Sequence, residues 1–131
     1  MTSGHTNIED FIPQRPPFVF IDTVEEVNDA AARTRFTIPA ECPLVTEGIL
    51  PLAGLMENAA QTCAARAGNK IGYIGAVKQM EVTRFPKVGE TLVTEAKVIQ
   101  EVLNICLMEV TSSIGTERIA TTTLKIAVIE N

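Results

Sequence analysis

The stretch Pro51–Ala67, PLAGLMENAAQTCAARA, decides the fold of this chain. Its apolar residues recur at i, i+3, i+4 and i+7, which predicts one helix about 25 Å long. Pro51 fits the first helical turn, because its missing N–H needs no partner there, and Gly68 fits the position just after the helix end. The residues predicted to form the apolar face are Leu52, Leu55, Met56, Ala59, Ala60, Cys63, Ala64 and Ala67.

The opposite face of the predicted helix carries almost no charge. Its residues are small or uncharged: Ala53, Gly54, Asn58, Thr62 and Ala65. The ionisable side chains of the whole stretch are Glu57 and Arg66. Because a surface helix of this length normally carries a charged stripe, the pattern predicts a helix surrounded by protein on most sides. The lone carboxylate in its middle, Glu57, is therefore the leading functional candidate.

Two predicted strands precede the helix and four follow it. Alternating apolar and polar residues favour strands, and three short segments favour hairpin turns: Asn28–Asp29, Leu103–Asn104 and Gly115–Thr116. The predicted strands are Val19 to about Asn28, Ala31–Ile38, Ile71–Arg84, Thr91–Glu101, Ile105–Ile114 and Arg118–Ile129. An antiparallel sheet curled around one central helix satisfies this order. We expect an α+β fold in one domain over residues 1–131, with a loose tail at residues 1–7.

The composition narrows the possible partners. The chain has 11 Lys and Arg against 16 Asp and Glu, a net charge of -5 without basic runs, which is a poor match for nucleic acid or anionic membranes. No apolar run is as long as a membrane span and no signal-peptide pattern is present, so a cytoplasmic protein is expected. Cys42, Cys63 and Cys106 lack metal-type spacing, so reduced, buried thiols are expected, without a metal or other cofactor.

Three short segments stand in order along residues 8–100. Pro13–Asp22 is similar to the motif Pro-His-Arg-x-Pro-Phe-Leu-Leu-Val-Asp, with Gln14 in place of the histidine. Glu57–Gln61 is similar to the motif Glu-Ala-x-Ala-Gln, and the end of Pro86–Leu92 is similar to the motif Gly-Asp-x-Leu. Together they resemble the hotdog-fold β-hydroxyacyl-ACP dehydratases. The helix sequence GLMENAAQTCAARAG and the following IGYIGA are most similar to the ApeP-like branch, which is associated with aryl polyene pigment biosynthesis.

The resemblance implies a hotdog dimer, homo- or heteromeric, with an acyl tunnel along each helix for acyl-carrier-protein or coenzyme A thioesters. In active members a histidine removes the α-proton of a 3-hydroxyacyl thioester, and a carboxylate matching Glu57 helps the hydroxyl leave as water. A glutamine matching Gln61 orients that carboxylate, and the four-residue spacing lets the two side chains meet. Backbone N–H groups near the helix start polarise the thioester carbonyl. Substrate contacts are expected from Pro51, Leu52, Gly54, Met56, Arg15 and Gly75.

The histidine of this family is missing from its expected place. That position is Pro43, the flanking glycines are also absent, and the one histidine of the chain, His5, lies in the predicted tail. Cys42 is adjacent, but a thiol without a partner is a poor substitute for the base. Proton abstraction by the usual route therefore needs a base from elsewhere, such as a second hotdog subunit.

Three functions stay open on the sequence alone. The first is a dehydratase-like subunit, which is active by itself, active only beside a complete partner, or non-catalytic. The second is an acyl-thioester hydrolase in which Glu57 acts on water. The third is an acyl-binding module that catalyses no reaction. A structural alternative for Glu57 is a buried carboxylate paired with Gln61 or Arg15. Four cations are candidate docking groups for a phosphopantetheine arm or an acidic carrier protein, although each is singly typical of a solvated charge: Arg15, Lys70, Lys78 and Arg84.

Overall fold

The chain folds as one helix packed on one antiparallel sheet. The computed structural model describes residues 8, 12, 14–67 and 71–129. The helix, α1, is Leu52–Ala67, and no helix within these ranges is long and apolar enough to cross a membrane. The strands are β1 Thr23–Val27, β2 Ala31–Thr37, β3 Ile71–Val82, β4 Thr91–Val102, β5 Ile105–Ile114 and β6 Glu117–Ile129. Their order in the sheet is β1-β2-β4-β5-β6-β3, which confirms the predicted α+β class.

Some features named from the sequence lie outside the described residues. They are the tail at residues 1–7 with His5, the helix-ending Gly68, and Lys70. The order of two strands, a helix and four strands is confirmed, and so are all three hairpin turns. In the first turn, the Asn28 side-chain oxygen accepts the N–H groups of Ala30 and Ala31 at 2.8 and 3.0 Å.

Alternation along the central strands decides which side chains face α1. In β4, Leu92, Thr94 and Ala96 are fully buried, while the residues between them are more exposed. Because successive side chains point to opposite faces, one face of the sheet lies against the helix. The cross-strand register carries this pattern into β5, where Ser112 pairs with Thr94 and Val110 pairs with Ala96. The core therefore lies between this face and α1.

β1 begins later than the strand predicted from Val19, and the reason lies in the helix. The Phe20 N–H donates to Gln61 Oε1 at 2.7 Å, and the Phe20 carbonyl accepts from Asn58 Nδ2, also at 2.7 Å. The backbone at this point is thus satisfied by two amide side chains of α1 rather than by a neighbouring strand. Pairing with β2 starts at Thr23.

The predicted apolar face of α1 divides into two rows. One row is buried as expected: Leu55, Ala59 and Cys63. The other row stays partly exposed: Leu52, Met56, Ala60 and Ala64. These four residues, named here the apolar stripe, recur every four positions and so line one side of the helix. Leu52 is 46% exposed, while Met56 and Ala64 pack partly against buried clusters, so the predicted apolar face is only partly covered.

Polar residues take the place of the apolar stripe in the interior. Asn58, Gln61 and Thr62 are each 0% exposed, although two of them belong to the face opposite the predicted one. Each has hydrogen-bond partners in the sheet or in the segment before β1. Burial of such groups is tolerated because their hydrogen bonds replace those lost to water. The prediction of a helix surrounded by protein on most sides therefore holds with a rotated buried face.

The start of α1 is fixed by Pro51. Its carbonyl accepts the N–H groups of Gly54 and Leu55 at 2.9 and 3.1 Å, so Pro51 directly precedes the first helical residue instead of lying inside the first turn. Gly54 is buried, and a Cβ atom there would overlap the side chain of Leu50, which is 0% exposed. The helix start therefore requires a glycine for packing.

We expect Gly54→Ala to destabilise the fold by about 1–2 kcal/mol, although alanine is favoured over glycine inside a helix by about 1 kcal/mol. The added methyl group has to displace Leu50 from a packed core. Urea unfolding measures the difference. Gly75→Ala is the matched control, because its Cβ would meet only the Lys125 carbonyl at an ordinary 3.7 Å. A Gly54→Ala chain as stable as the native one would show that displacing Leu50 costs only about the 1 kcal/mol that the helix preference of alanine returns.

The loop before β4 is held by an arginine between two glutamates. Arg84 donates to both carboxylate oxygens of Glu90, at 2.9 and 3.0 Å, and its Nε donates to Glu117 at 3.2 Å. The bond from Arg84 is the largest cause that lowers the pKa of Glu90 from 4.5 to about 2, and the Lys87 N–H adds to it. Stabilisation by this carboxylate is therefore present above pH 4.5 and is lost as the pH falls to about 2.

The three cysteines are free and buried, as predicted: Cys42, Cys63 and Cys106. Burial is the main cause that raises the pKa of the Cys63 thiol to about 12, with Cys106 raising and Arg66 lowering it. Burial also raises the pKa of Cys106. Because the thiolate is the reactive form, these two side chains pack as small apolar groups.

Candidate functional site

Glu57 lies midway along α1, with Gln61 one turn later. Gln61 Nε2 donates to Glu57 Oε1 at 2.9 Å, so the structure brings the two predicted catalytic side chains together. Glu57 is partly exposed, whereas Gln61 is fully buried. Arg15, the other partner considered for Glu57, is exposed and donates to the carbonyls of Ile12 and Gln14 at 2.9 and 2.8 Å. The arrangement is thus a surface-accessible carboxyl group on a buried amide support.

The orientation of the Gln61 amide is set by the backbone of Phe18 and Phe20. The Phe20 N–H can only donate, so the atom 2.7 Å away is the carbonyl Oε1. The Nε2 group then directs its two hydrogens to the Phe18 carbonyl, at 2.9 Å, and to Glu57. Glu57 Oε1 is therefore the acceptor in this pair. A proton on the carboxyl group is consequently favoured on Oε2, the oxygen that Gln61 leaves open.

Phe20 is itself held firmly from both sides. Its side chain is 0% exposed and stacks on Phe36, with 5.6 Å between the ring centroids. Its backbone carbonyl accepts from Asn58, the residue next to Glu57. Phe20, whose N–H holds the Gln61 amide, therefore connects the Glu57–Gln61 pair to the hydrophobic core.

A buried polar network below the pair was missed by the sequence reasoning. Asn58 Oδ1 accepts from Thr94 Oγ1 at 2.6 Å, and this hydroxyl lies 3.2 Å from Ser112 Oγ. Asn58 thereby connects the segment before β1, through α1, to β4 and β5. Since its amide both donates and accepts, the position of the helix along the sheet is specified by hydrogen bonds as well as by packing.

Thr62 makes a second polar connection one turn further along α1. Its hydroxyl donates to the Asn58 carbonyl at 2.9 Å and lies 2.8 Å from Thr34 Oγ1 on β2. Thr34, Thr62 and Thr94 are all 0% exposed. The signal available in the sequence was hydroxyl residues at inward strand positions opposite an uncharged helix face. Periodicity shows that such residues share a face, but it does not show which of them meet.

The first amides of α1 lie about one turn before Glu57. The Gly54 N–H is taken by the Pro51 carbonyl, whereas the N–H groups of Leu52 and Ala53 have no carbonyl one turn earlier in the helix to accept them. The helix start also carries a partial positive charge. At 1.5 Å per residue, Ala53 precedes Glu57 by about 6 Å along the axis. One small molecule is therefore long enough to place a carbonyl oxygen at these N–H groups and another of its groups at the Glu57 carboxyl group.

The other residues predicted to touch substrate divide between two elements. Gly75 lies on β3, where the pairing with β6 shifts between Ile74 and Ala76, so it marks a β-bulge. Met56 belongs to the apolar stripe beside Glu57 and packs partly against the core. The residues that the structure places together in and just before the first half of α1 are Pro51, Leu52, Gly54 and Met56.

The loop in which the resemblance predicted a histidine lies between β2 and α1. Pro43 is exposed in this loop, between β2 and α1, and the loop contains no histidine. Its neighbour Cys42 is 7% exposed and packs in the core with Leu50 and Phe36. Cys42 therefore has the structural role that the sequence favoured for it.

An apolar surface is exposed on the helix side of β3. Ile74 pairs with Ile126 and Val77 pairs with Leu124, and both of these β6 residues are buried. Because directly opposed side chains share a face, Ile74 and Val77 also face the helix side. They are nevertheless 42% and 46% exposed, and in the described ranges β3 is the last strand of the sheet. This surface and the apolar stripe have the character of an interaction surface.

One helix across a six-stranded antiparallel sheet, with a carboxyl group in the middle of that helix, places the protein among the hotdog folds. Residues 6–130 match the ApeP-like family, described as ApeP dehydratase. The chain therefore belongs to the ApeP-like dehydratase family, as its motifs indicated. Among curated proteins no sequence matches it.

Solved structures with the same fold include dehydratases and thioesterases. The dehydratase heterocomplex ApeI:P from Xenorhabdus doucetiae matches with a TM-score of 0.87 at 15% identity, over 97% of this chain and 93% of that one. The sigma28-regulated virulence protein Cj0977 from Campylobacter jejuni has a TM-score of 0.76 at 14% identity, over 91% and 82%. A hypothetical thioesterase with coenzyme A from Streptococcus pneumoniae TIGR4 has 0.71 at 13%, over 82% and 85%. These matches confirm the hotdog fold.

Proposed function

We propose that this chain is one subunit of a dehydratase that acts on 3-hydroxyacyl groups carried as thioesters by an acyl carrier protein. The observation that carries the proposal is the Glu57 carboxyl group, which accepts at Oε1 from Gln61 and has no hydrogen bond at Oε2 from any described residue. It lies beside the apolar stripe, along which an acyl chain can lie. Membership of a dehydratase family supports the same reaction.

In this reaction Glu57 is the acid. Protonated on Oε2, it gives its proton to the β-hydroxyl group, and the bond from the β-carbon to oxygen breaks to release water. A base removes a proton from the α-carbon, and that electron pair forms the double bond of the 2-enoyl thioester. The N–H groups of Leu52 and Ala53 polarise the thioester carbonyl while charge develops on it. Gln61 acts as a positioning residue, because it restricts the carboxyl group to one orientation.

The base comes from a second hotdog subunit. A homodimer of this chain would place two copies of Pro43 where the family has its histidine, and proline offers no base. The exposed apolar surface, with Ile74, Val77 and the apolar stripe, is suited to burial against another subunit. A protein described as a dehydratase heterocomplex shares the fold over nearly the whole chain. We therefore expect a heterodimer in which this chain supplies the acid and its partner supplies the base.

The setting of the reaction follows from the thiols and the substrate. Free, buried cysteines suit a reducing cytoplasm. The same thioester can be presented by coenzyme A or by a carrier protein, and both present it at the end of a phosphopantetheine arm. Coenzyme A thioesters therefore probe the site without the contacts that a carrier protein adds.

The test compares this chain alone with the chain co-expressed beside a histidine-bearing hotdog subunit from the same organism. Both samples are incubated with a 3-hydroxybutyryl carrier-protein thioester, and the products are followed by mass spectrometry. We expect the pair to release one water from the substrate, and we expect the chain alone to leave it unchanged. Water loss by the chain alone would overturn the requirement for a partner.

The same experiment separates the alternatives. Release of free acid would identify a thioesterase in which Glu57 activates water. A protein described as a hypothetical thioesterase has the same fold. A pair that forms but leaves both hydroxyacyl and enoyl thioesters unchanged would identify an acyl-binding module. Either result would overturn the dehydratase proposal.

A further inference from the structure

The hairpin between β4 and β5 presents several large apolar side chains to solvent. Leu103 is 94% exposed, and Val102 and Ile99 are 55% and 53% exposed. Leu103 also has a φ angle of 55°, a backbone conformation that favours glycine or asparagine over leucine. A single exposed leucine needs no explanation. Three such side chains close together, one of them in a disfavoured backbone conformation, indicate an interaction surface.

A hollow on the outer face of the sheet adjoins this hairpin. Its lining residues are Lys78, Gln100, Val102, Ile105, Leu107 and Lys125. The register brings them together, because Leu107 pairs with Gln100 on one side and with Lys125 on the other. Its volume is about 190 Å³, below the ~300–1,000 Å³ of small-molecule sites, so it suits a side chain of a protein partner. The hollow, Ile99 and Leu103 together are named the hairpin patch.

The two lysines of the hairpin patch are not neutralised by the described part of this chain. Lys78 and Lys125 are exposed, and no described carboxylate forms a salt bridge with either of them. The described residues that line the hollow include no acidic side chain either. Arg84, by contrast, is held between Glu90 and Glu117, so it is a structural cation. In a chain of net charge -5, this local positive charge favours a negatively charged partner.

We infer that the hairpin patch docks the acyl carrier protein, as a small acidic protein whose apolar contact residue is surrounded by carboxylates. The inference rests on the proposed function, in which a carrier-bound thioester is the substrate. Lys78 and Lys125 attract the carboxylates, and Val102 and Leu103 provide the apolar contact. A purely charged partner would leave the apolar side chains uncovered, and a purely apolar partner would leave the lysines without a counter-charge.

The position of the patch agrees with this role. Lys78 follows Val77 on β3, and neighbouring residues of a strand point to opposite faces. The patch therefore reaches the same edge of the sheet as the exposed apolar surface on the helix side.

A second copy of this chain fits the patch less well. In a two-fold symmetric contact the same surface meets itself. Such a contact would bring Lys78 and Lys125 of one copy towards those of the other, and like charges brought together in an interface oppose association.

The experiment measures binding of a carrier protein that lacks its phosphopantetheine arm, because such a carrier contacts only the docking surface. The heterodimer, or the chain alone if it proves active alone, is titrated by calorimetry. We expect the double variant Lys78→Glu/Lys125→Glu to weaken binding about tenfold or more, since two attractive contacts become repulsive. Leu103→Ser is expected to weaken it by about fivefold through the lost apolar contact. Binding by the native protein is expected to weaken as salt is raised.

Lys97→Glu is the matched control, because Lys97 lies on the same outer face but outside the patch and pairs with Glu95. We expect it to bind the carrier within about twofold of the native protein. Unchanged binding by the double variant, an equal loss in Lys97→Glu, or a changed oligomeric state in place of a binding defect would each overturn the inference. Turnover of a coenzyme A thioester, measured in parallel, reports on the proposed function alone. If the native protein does not turn over this thioester, the proposed function is refuted, whereas the result of the docking experiment is unaffected.

Discussion

In the heterodimer with a histidine-bearing subunit, we expect Glu57→Gln to lower the turnover number for dehydration by about 10²–10⁴-fold, the usual effect of losing a general acid. The substitution keeps the length and shape of the side chain. The new amide can still accept the Gln61 N–H through its carbonyl oxygen, so the hydrogen bond of 2.9 Å is retained. What disappears is the proton on the second oxygen. The initial rate of enoyl thioester formation measures the effect.

The loss is expected to affect nearly all activity of the heterodimer. Under the proposed reaction such a dimer has one complete site, formed by Glu57 and the partner's base, whereas the site around Pro43 lacks the base. We expect KM to change by less than about threefold, because the substitution leaves the substrate-binding surface in place. Stability is expected to change by less than about 1 kcal/mol, because Glu57 is only partly buried.

Glu41→Gln is the matched control for the charge change, because Glu41 is exposed in the loop between β2 and α1. It is expected to leave the turnover number unchanged. A Glu57→Gln heterodimer that retains the native rate would exclude Glu57 as the proton donor. A raised KM with an unchanged turnover number would instead make Glu57 a binding residue.

Periodicity in the sequence was enough for the fold because each element is strongly patterned. α1 begins one residue after the predicted start, at Leu52, and β5 has the predicted bounds, Ile105–Ile114. The alternation of β5 survives in the structure because one sheet face is covered by α1 and the other is not. The Glu57–Gln61 contact was also foreseeable, since residues four apart on a helix are neighbours.

The buried orientation of α1 was not foreseeable from the same pattern. The apolar periodicity put Leu52 and Met56 on one helix face, but the structure buries Asn58 and Gln61 more deeply. The deciding factor is the Phe20 backbone, whose N–H and carbonyl need partners once they are buried. Such a requirement arises between segments far apart in the chain. Hydropathy of a single segment does not contain it.

The deviation has a functional reason under the proposed reaction. Because Asn58 and Gln61 face the interior, Glu57 and the apolar stripe are turned outward, towards the surface that a second subunit and an acyl chain would cover. The same side chains that hold Phe20 therefore also set the direction of the Glu57 carboxyl group. If Glu57 is the acid, as we propose, Asn58 links stability to catalysis, because it adjoins Glu57 in the chain and joins α1 to β4.

We accordingly expect Asn58→Leu, which keeps the volume but removes the amide, to destabilise the fold by about 2–5 kcal/mol. The Phe20 carbonyl loses its donor, and the Thr94 hydroxyl loses its 2.6 Å acceptor and keeps only the longer contact of 3.2 Å with Ser112. An unpaired buried group costs about 1–3 kcal/mol, and the weakened Thr94 hydroxyl adds to that cost. Against a typical total of about 5–15 kcal/mol this is a large share. The midpoint of urea unfolding measures it, with the slope unchanged. Asn104→Leu, at an exposed turn position, is the control and is expected to change stability by less than about 0.5 kcal/mol.

A double-mutant cycle with Thr94→Val distinguishes a polar network from simple loss of packing. Thr94→Val alone leaves Asn58 Oδ1 without its 2.6 Å donor, and we expect a cost of about 1–3 kcal/mol. In the double variant both partners of the Asn58–Thr94 hydrogen bond are removed, so neither is left without the other. We therefore expect the loss of stability in the double variant to be smaller than the sum of the two single losses by about 0.5–3 kcal/mol. Additive costs would show that the two side chains contribute independently, and the hydrogen bond between α1 and β4 would then not be what fixes the helix on the sheet.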